Sequence, residues 1–241
     1  MAVIKKISEL EQLDALTSSS NIIIEENGVA KRIPASSVGG YPDWSHLKCH
    51  IVTDSLGAKG TYTQKCFYDY IQEKTGIQFT VDAISATGYK NGEDEGNSFL
   101  DRVENIPEGV DIVIIFGSGN DISSTDLEYA NRAIYDTLLY LASNRPELRV
   151  IAVPPTPWRG HNRRGEAWTA YVERLKTCAL ACNCRYVADV YDCPPFDGQF
   201  DSHMERFFTT DPNGVHPNEV GHEALAPFFY NALLQELILS Q

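Results

Sequence analysis

The stretch LKCHIVTDSLGAKG, residues 47–60, decides the fold: an apolar, strand-like run stops at a small polar turn and is followed by glycines. Four more runs of this kind follow it, IQFTVDAI (77–84), VDIVIIFG (110–117), LRVIAVPP (148–155) and CRYVADVY (184–191). Between the third and fourth lies STDLEYANRAIYDTLLYLASN, with Leu127, Ala130, Ile134, Leu138 and Leu141 three and four residues apart and a Ser or Thr cap in front. That spacing lines one face of a helix. Strand-like runs alternating with amphipathic helices predict parallel βαβ units, so the chain from about residue 45 to its end reads as one α/β sandwich without internal repeats.

Upstream of residue 47 the pattern differs. Ile4, Ile7, Leu10 and Leu13 recur every three residues, which predicts a short amphipathic helix over 4–16. NIIIEE and VAKRIPA flank Asn27-Gly28, a pair that signals a tight hairpin. About forty such residues cannot bury enough surface to fold alone. SSVGGYPDW then reads as a linker, which divides the chain into a short segment, 1–40, and a main domain, 41–241.

Composition narrows the function. A net charge of −13 argues against a nucleic-acid partner, because binding phosphates needs clustered Lys and Arg. No apolar stretch has the length of a signal peptide or a membrane span, so synthesis in a reducing cytosol, with no membrane partner, is expected. Of the six cysteines, Cys178, Cys182 and Cys184 cluster without a second ligand pair at zinc spacing, and free buried thiols are expected rather than a metal site.

In open α/β sheets ligands bind at the carboxyl ends of the strands. Ser55 follows the first run, where Asp54 or Ser55 also reads as a plain turn cap. Gly88 lies in SATGYKNG after the second run; it could bring a bare N–H to a ligand or serve as an ordinary turn glycine. Asn120, in FGSGNDISS after the third, offers an amide donor or an Asx turn. Near the C-terminus, TTDPNGVHPNEVGHEALA places His216 in a Gly- and Pro-marked loop before a helix that Asn218 would cap. His222, one turn further on, reads as a surface or packing residue.

Taken together and in this order, TDSL, Gly88, SGND and NGVHPN resemble the blocks of the SGNH (GDSL-like) hydrolase family over residues 47–240. The resemblance implies a three-layer αβα sandwich with a parallel, flavodoxin-like five-stranded sheet and a cofactor-free, serine-dependent ester hydrolase. It implies Ser55 as nucleophile, His216 as base, and the Ser55 N–H, the Gly88 N–H and the Asn120 amide as the oxyanion hole. A serine hydroxyl needs a neighbouring imidazole to take its proton, and fixed donors must meet the charge on the tetrahedral intermediate.

Three positions depart from the pattern. Thr53 and Ser118 stand for glycines, and Asn213 stands for the aspartate three residues before the histidine. Either Asn213 orients His216, or Asp211 does so after the chain folds back, or the site only binds, as a carbohydrate-binding module of a phage tail or cell surface would. Asp54, Trp158 and Arg159 are expected to contact substrate; the last two lie in TPWRGHNRRGEAW, whose aromatic and hydrogen-bonding side chains suit a sugar. An acetylated glycan or similar ester is therefore the expected substrate. Residues 1–40 also resemble the short leading segments of phage and prophage tail proteins, which implies a homo-oligomer, built through 1–40, and association with a virion.

Overall fold

A computed structural model describes residues 21–26, 29–34, 41–124, 127–156, 166–187, 189–192, 195, 200–208, 211 and 213–239. The chain divides into two compact units between Pro42 and Asp43. In the first, β1 (Asn21–Glu26) pairs antiparallel with β2 (Val29–Pro34). Their register ends at Glu26 opposite Val29, which leaves two residues to connect the strands, as the Asn-Gly pair predicts. The helix expected over 4–16 lies outside the described residues.

The second unit holds the sheet. Its strands are β3 (Lys48–Thr53), β4 (Gln78–Ala83), β5 (Ile112–Phe116), β6 (Arg149–Val153) and β7 (Arg185–Tyr186), all parallel, in the order β4-β3-β5-β6-β7. This is the expected flavodoxin-like order, whose switch point falls at β3. The last strand is shorter than CRYVADVY suggests. Only two residues pair with β6, and Asp189–Asp192 turns into a short helix that buries Val190 and Tyr191. At a sheet edge, with one neighbour to bond, a helical turn buries those side chains without extending the ladder.

Helices cover both faces. Because side chains alternate along a strand, Ile112, Ile114 and Phe116 of β5 point to one layer and Val113 and Ile115 to the other, and all five are buried. The first layer contains α1 (Phe67–Thr75) and the last helix, Glu219–Leu239, which pack against each other through stacked Phe67 and Phe229 rings 3.9 Å apart. The second layer contains Phe99–Val103, Leu127–Asn144 and Glu166–Ala181. In the long helix Leu127–Asn144, Ala130, Ile134, Leu138 and Leu141 of the predicted stripe are fully buried, while the Leu127 side chain lies outside what is described. The five described cysteines are free and buried, and burial pushes the Cys66 thiol up to about 11 and Cys184 to about 12, which keeps both protonated.

His222 is one of the buried groups of the first layer, only 2% exposed. It stacks near Phe67, and its Nδ1 has no hydrogen-bond partner among the described residues. Burial lowers its pKa to about 4. Below pH 6.5 the unfolded chain binds a proton that the folded chain refuses until about pH 4, so acidification through that window costs stability, about 3 kcal/mol in full. Asp54, raised by burial to about 6, acts in the opposite sense over much of the same range, so a comparison between two proteins isolates His222. His222→Phe is expected to gain on the wild type in melting temperature as the pH falls from 7 to 4.5, by roughly 5–10 °C. Parallel melting curves across that range would refute the assignment.

Candidate active site

The carboxyl end of β3 builds the first part of the site. Asp54 caps the 3₁₀ turn Ser55–Gly57 by accepting the Leu56 N–H at 2.8 Å, and that sharp turn presents Ser55 beyond the sheet edge. The other Asp54 oxygen accepts the Ser118 N–H at 2.8 Å, just past β5. Gly117 runs so close beneath it that a Cβ there would lie 2.6 Å from the carboxylate, and its φ of +113° suits glycine. Asp54 is thus a clamp between two strand ends. It is 2% exposed and does not line the cavity, so its expected contact with substrate is not seen.

The loop after β4 corrects a second expectation. Gly88 does not face the site: its N–H donates to the Asn91 carbonyl at 3.1 Å, and a Cβ on it would meet the Asp121 carboxylate at 2.5 Å. Asp121, fully buried, accepts the N–H groups of Tyr89 and Asn91, each at 2.8 Å, and the Tyr171 hydroxyl at 3.0 Å. Glycine stands at 88 because Asp121 packs against it. Gly88→Ala is expected to destabilise the fold by about 1–3 kcal/mol, read as a lower melting temperature. An unchanged melting curve would show that the carboxylate can move aside.

From this loop Ser85 and Ala86 face the site, and the unusual backbone is that of Ala86. It lies in the left-handed region at φ +62°, uncommon for a residue with a side chain. The N–H groups of Ser55 and Ala86 have no protein acceptor among the described residues. The loop is braced from below by Arg102, 5% exposed, whose Nη2 donates to the Thr53 carbonyl at 3.0 Å and to the Thr87 hydroxyl at 3.1 Å. Asn120 completes the brace, donating to the Thr87 carbonyl at 2.9 Å and lying 3.4 Å from Asp54 Oδ2. A positive-φ alanine leaves no mark in the sequence, which is why the neighbouring glycine drew attention instead.

The third part comes from the loop before the last helix. Asn218 caps that helix as expected, accepting the Gly221 N–H at 3.0 Å. Upstream, a turn closed by the Gly214 N–H on the Asp211 carbonyl brings Asp211 back towards the histidine. His216 Nδ1 lies 2.8 Å from Asp211 Oδ2, and His216 Nε2 lies 2.9 Å from Ser55 Oγ. Asp211 is 2% exposed and accepts N–H groups from Asn213, Val215 and His216. Burial alone would raise its pKa, but the backbone donors and the imidazole outweigh that and hold it below the ordinary carboxylate value. Asn213 is exposed and contributes its main-chain N–H to Asp211, so its side chain does not orient the imidazole.

Ser55, Ala86, Asn120 and His216 line one cavity of about 640 Å³, together with Lys59, Tyr62, Ser85 and Val215. Trp158 and Arg159 lie outside the described residues. Among the described residues no cluster of His, Cys, Asp and Glu could hold a metal, and no described helix is long and apolar enough to cross a membrane. The arrangement can pass a proton from a hydroxyl to an imidazole whose other nitrogen faces a buried carboxylate, with two bare N–H groups and an amide beside the hydroxyl. That is the equipment of acyl transfer.

Comparison with known proteins agrees. The chain is similar to a GDSL lipase of Mycobacterium tuberculosis, 27% identical over 186 residues that span 76% of each protein. Its fold resembles that of a Lactobacillus plantarum protein at a TM-score of 0.65, with 16% identity over 78% of this chain and 97% of that one. It also resembles an acetylxylan esterase from Geobacillus stearothermophilus at a TM-score of 0.54, with 17% identity over 81% of this chain and 95% of that one. The family match begins at residue 52 and therefore lends nothing to the phage-tail likeness of residues 1–40. It runs through residue 224, across Ser55, Asn120, Asp211 and His216, and the chain belongs to the GDSL-like lipase/acylhydrolase family.

Proposed function

We propose that this hydrolase is a serine-dependent esterase that removes short acyl groups, acetyl above all, from a carbohydrate or a similar polar ester. The observation that carries the reading is the unbroken line from Asp211 through His216 to Ser55, at 2.8 and 2.9 Å, opening on a cavity. Ser55 Oγ attacks the ester carbonyl carbon while His216 Nε2 takes its proton. The carbonyl oxygen becomes an anion facing the Ser55 N–H, the Ala86 N–H and the Asn120 amide. Collapse of the intermediate expels the alcohol, which leaves with the proton held by His216, and water then releases the acid by the same steps.

The cavity supports a short acyl group. Its walls are mostly small or polar, Ala58, Gly60, Thr61, Ser85 and Ala86 among them, and Val215 is its one aliphatic side chain larger than alanine among the described residues. A long acyl chain would gain little apolar contact there. The acetylxylan esterase likeness points the same way for the carrier. Asp211 beside the imidazole supplies the charge that Asn213 lacks, which supports turnover over a module that only binds.

The test is a fluorophosphonate probe together with aryl esters of increasing chain length. Wild type is expected to be labelled at Ser55, with acetate esters cleaved faster than octanoate esters and acetate released from acetylated xylo-oligosaccharide. Equal labelling of Ser55→Ala would defeat the catalytic assignment, and faster cleavage of long chains would defeat the choice of substrate.

A further inference from the structure

Tyr62 stands beside the reacting residues without a part in the chemistry just described. Its ring lies parallel to the His216 imidazole, with centroids 4.1 Å apart and an interplanar angle of 2°. It lines the same cavity, on a tight loop in which the Gly60 N–H donates to the Thr63 carbonyl at 2.8 Å and the Gln64 amide to the Gly60 carbonyl at 2.7 Å. These two bonds close the loop around Tyr62.

We propose that Tyr62 is a positioning residue for the ester hydrolysis, holding the His216 ring in plane with Ser55 and favouring its charged form through the face of its own ring. The proposal rests on the reading of Ser55 and His216 as nucleophile and base. An aromatic face carries negative potential and attracts a cation placed over it. When Ser55 attacks, His216 becomes that cation. The stack is weaker with the neutral ring, so it favours the transition state over the resting enzyme, which is the condition for raising kcat rather than lowering KM. Contact over a whole ring face also opposes rotation of the imidazole out of line.

Among the described residues, the other charged groups near His216 do not duplicate this. Asp211 meets the ring edge-on at Nδ1, in the plane and not over the face. Lys59, also on the cavity wall, has its ammonium 2.7 Å from Asp69 Oδ1. The His216 side chain is 19% exposed, so the stack is partly screened by solvent and its effect is that of a moderate cation–π contact.

The experiment compares Tyr62→Phe, which keeps the face and loses the hydroxyl, with Tyr62→Leu, which loses the face. Kinetics on an aryl acetate should show Phe near wild type. Leu should show kcat lowered about tenfold at nearly unchanged KM, and the acid limb of its kcat/KM profile displaced about half a pH unit downward. Should Leu fail to fold, phenylalanines carrying one, two and five ring fluorines at position 62 keep nearly the same shape while draining the ring face. Their kcat should fall stepwise.

A Leu variant with wild-type kcat and acid limb, a Phe variant as impaired as Leu, a loss confined to KM, or a flat fluorine series would each overturn the proposal. Ser55→Ala, assayed alongside, separates the two levels. If it stays active, the reading of the site itself has failed; if it is inactive while the Tyr62 variants are normal, only the role of Tyr62 has.

Discussion

Asp211→Asn is expected to lower kcat by about four orders of magnitude, while Asn213→Ala stays near wild type. Asp211 presents two acceptor oxygens to four donors: the N–H groups of Asn213, Val215 and His216, and the imidazole Nδ1. An asparagine must turn its NH₂ towards one of those donor sets. If that group faces His216, the ring is forced into the tautomer that carries its proton on Nε2, where it cannot accept from Ser55. If it takes the other position it faces the Asn213 N–H, and the turn that brings the residue back is weakened. In either orientation the negative charge that favours the imidazolium is gone. Asn213 supplies only a backbone N–H to this arrangement, and alanine keeps that group. Steady-state kinetics on an aryl acetate decide the matter: the reverse ranking, with Asn213→Ala severely impaired and Asp211→Asn active, would restore Asn213 as the orienting residue.

Asn120→Ala should cost between about a hundredfold and a thousandfold in kcat, with a small change in KM. Asn120 reaches the cavity from the first turn of the short helix Gly119–Ser124, while its amide also donates to the Thr87 carbonyl. Alanine therefore removes one donor to the developing charge and loosens the loop that presents another, the Ala86 N–H. Both losses act on the same intermediate, so acetate, propionate and butyrate esters should slow by similar factors. Labelling by the fluorophosphonate should slow too, because its phosphoryl oxygen enters the same donors. Loss for one acyl length alone would mean that Asn120 shapes the acyl pocket and does not bind the oxyanion.

The chain reports its own fold with some fidelity because strands and helices are periodic. The runs at 47–54, 77–84, 110–117 and 148–155 each hold a strand of the sheet, and the stripe from Ala130 to Leu141 packs where its spacing says it should. CRYVADVY misled because an apolar run does not reveal whether a partner strand extends beside it. In the site, Ser55, Asn120 and His216 were legible: each follows an element end marked by its own turn chemistry. Gly88 and Asp54 drew the wrong inference for a shared reason. Both are required by close packing against a partner, Asp121 for the glycine and the Gly117 backbone for the aspartate, and these partners lie 33 and 63 residues away in the chain.

What the sequence alone determined is local. Period, capping and turn residues act over a few neighbours, so they set the elements, and with the family pattern they set which loops carry the chemistry. Only the tertiary structure chose Asp211 over Asn213, exposed Ala86 in place of Gly88, and laid Tyr62 against His216. Each of those outcomes depends on how residues far apart in the chain approach within a few ångströms. Such an approach is fixed by the packing of two helical layers on a twisted sheet, and no short-range preference of the residues themselves encodes it.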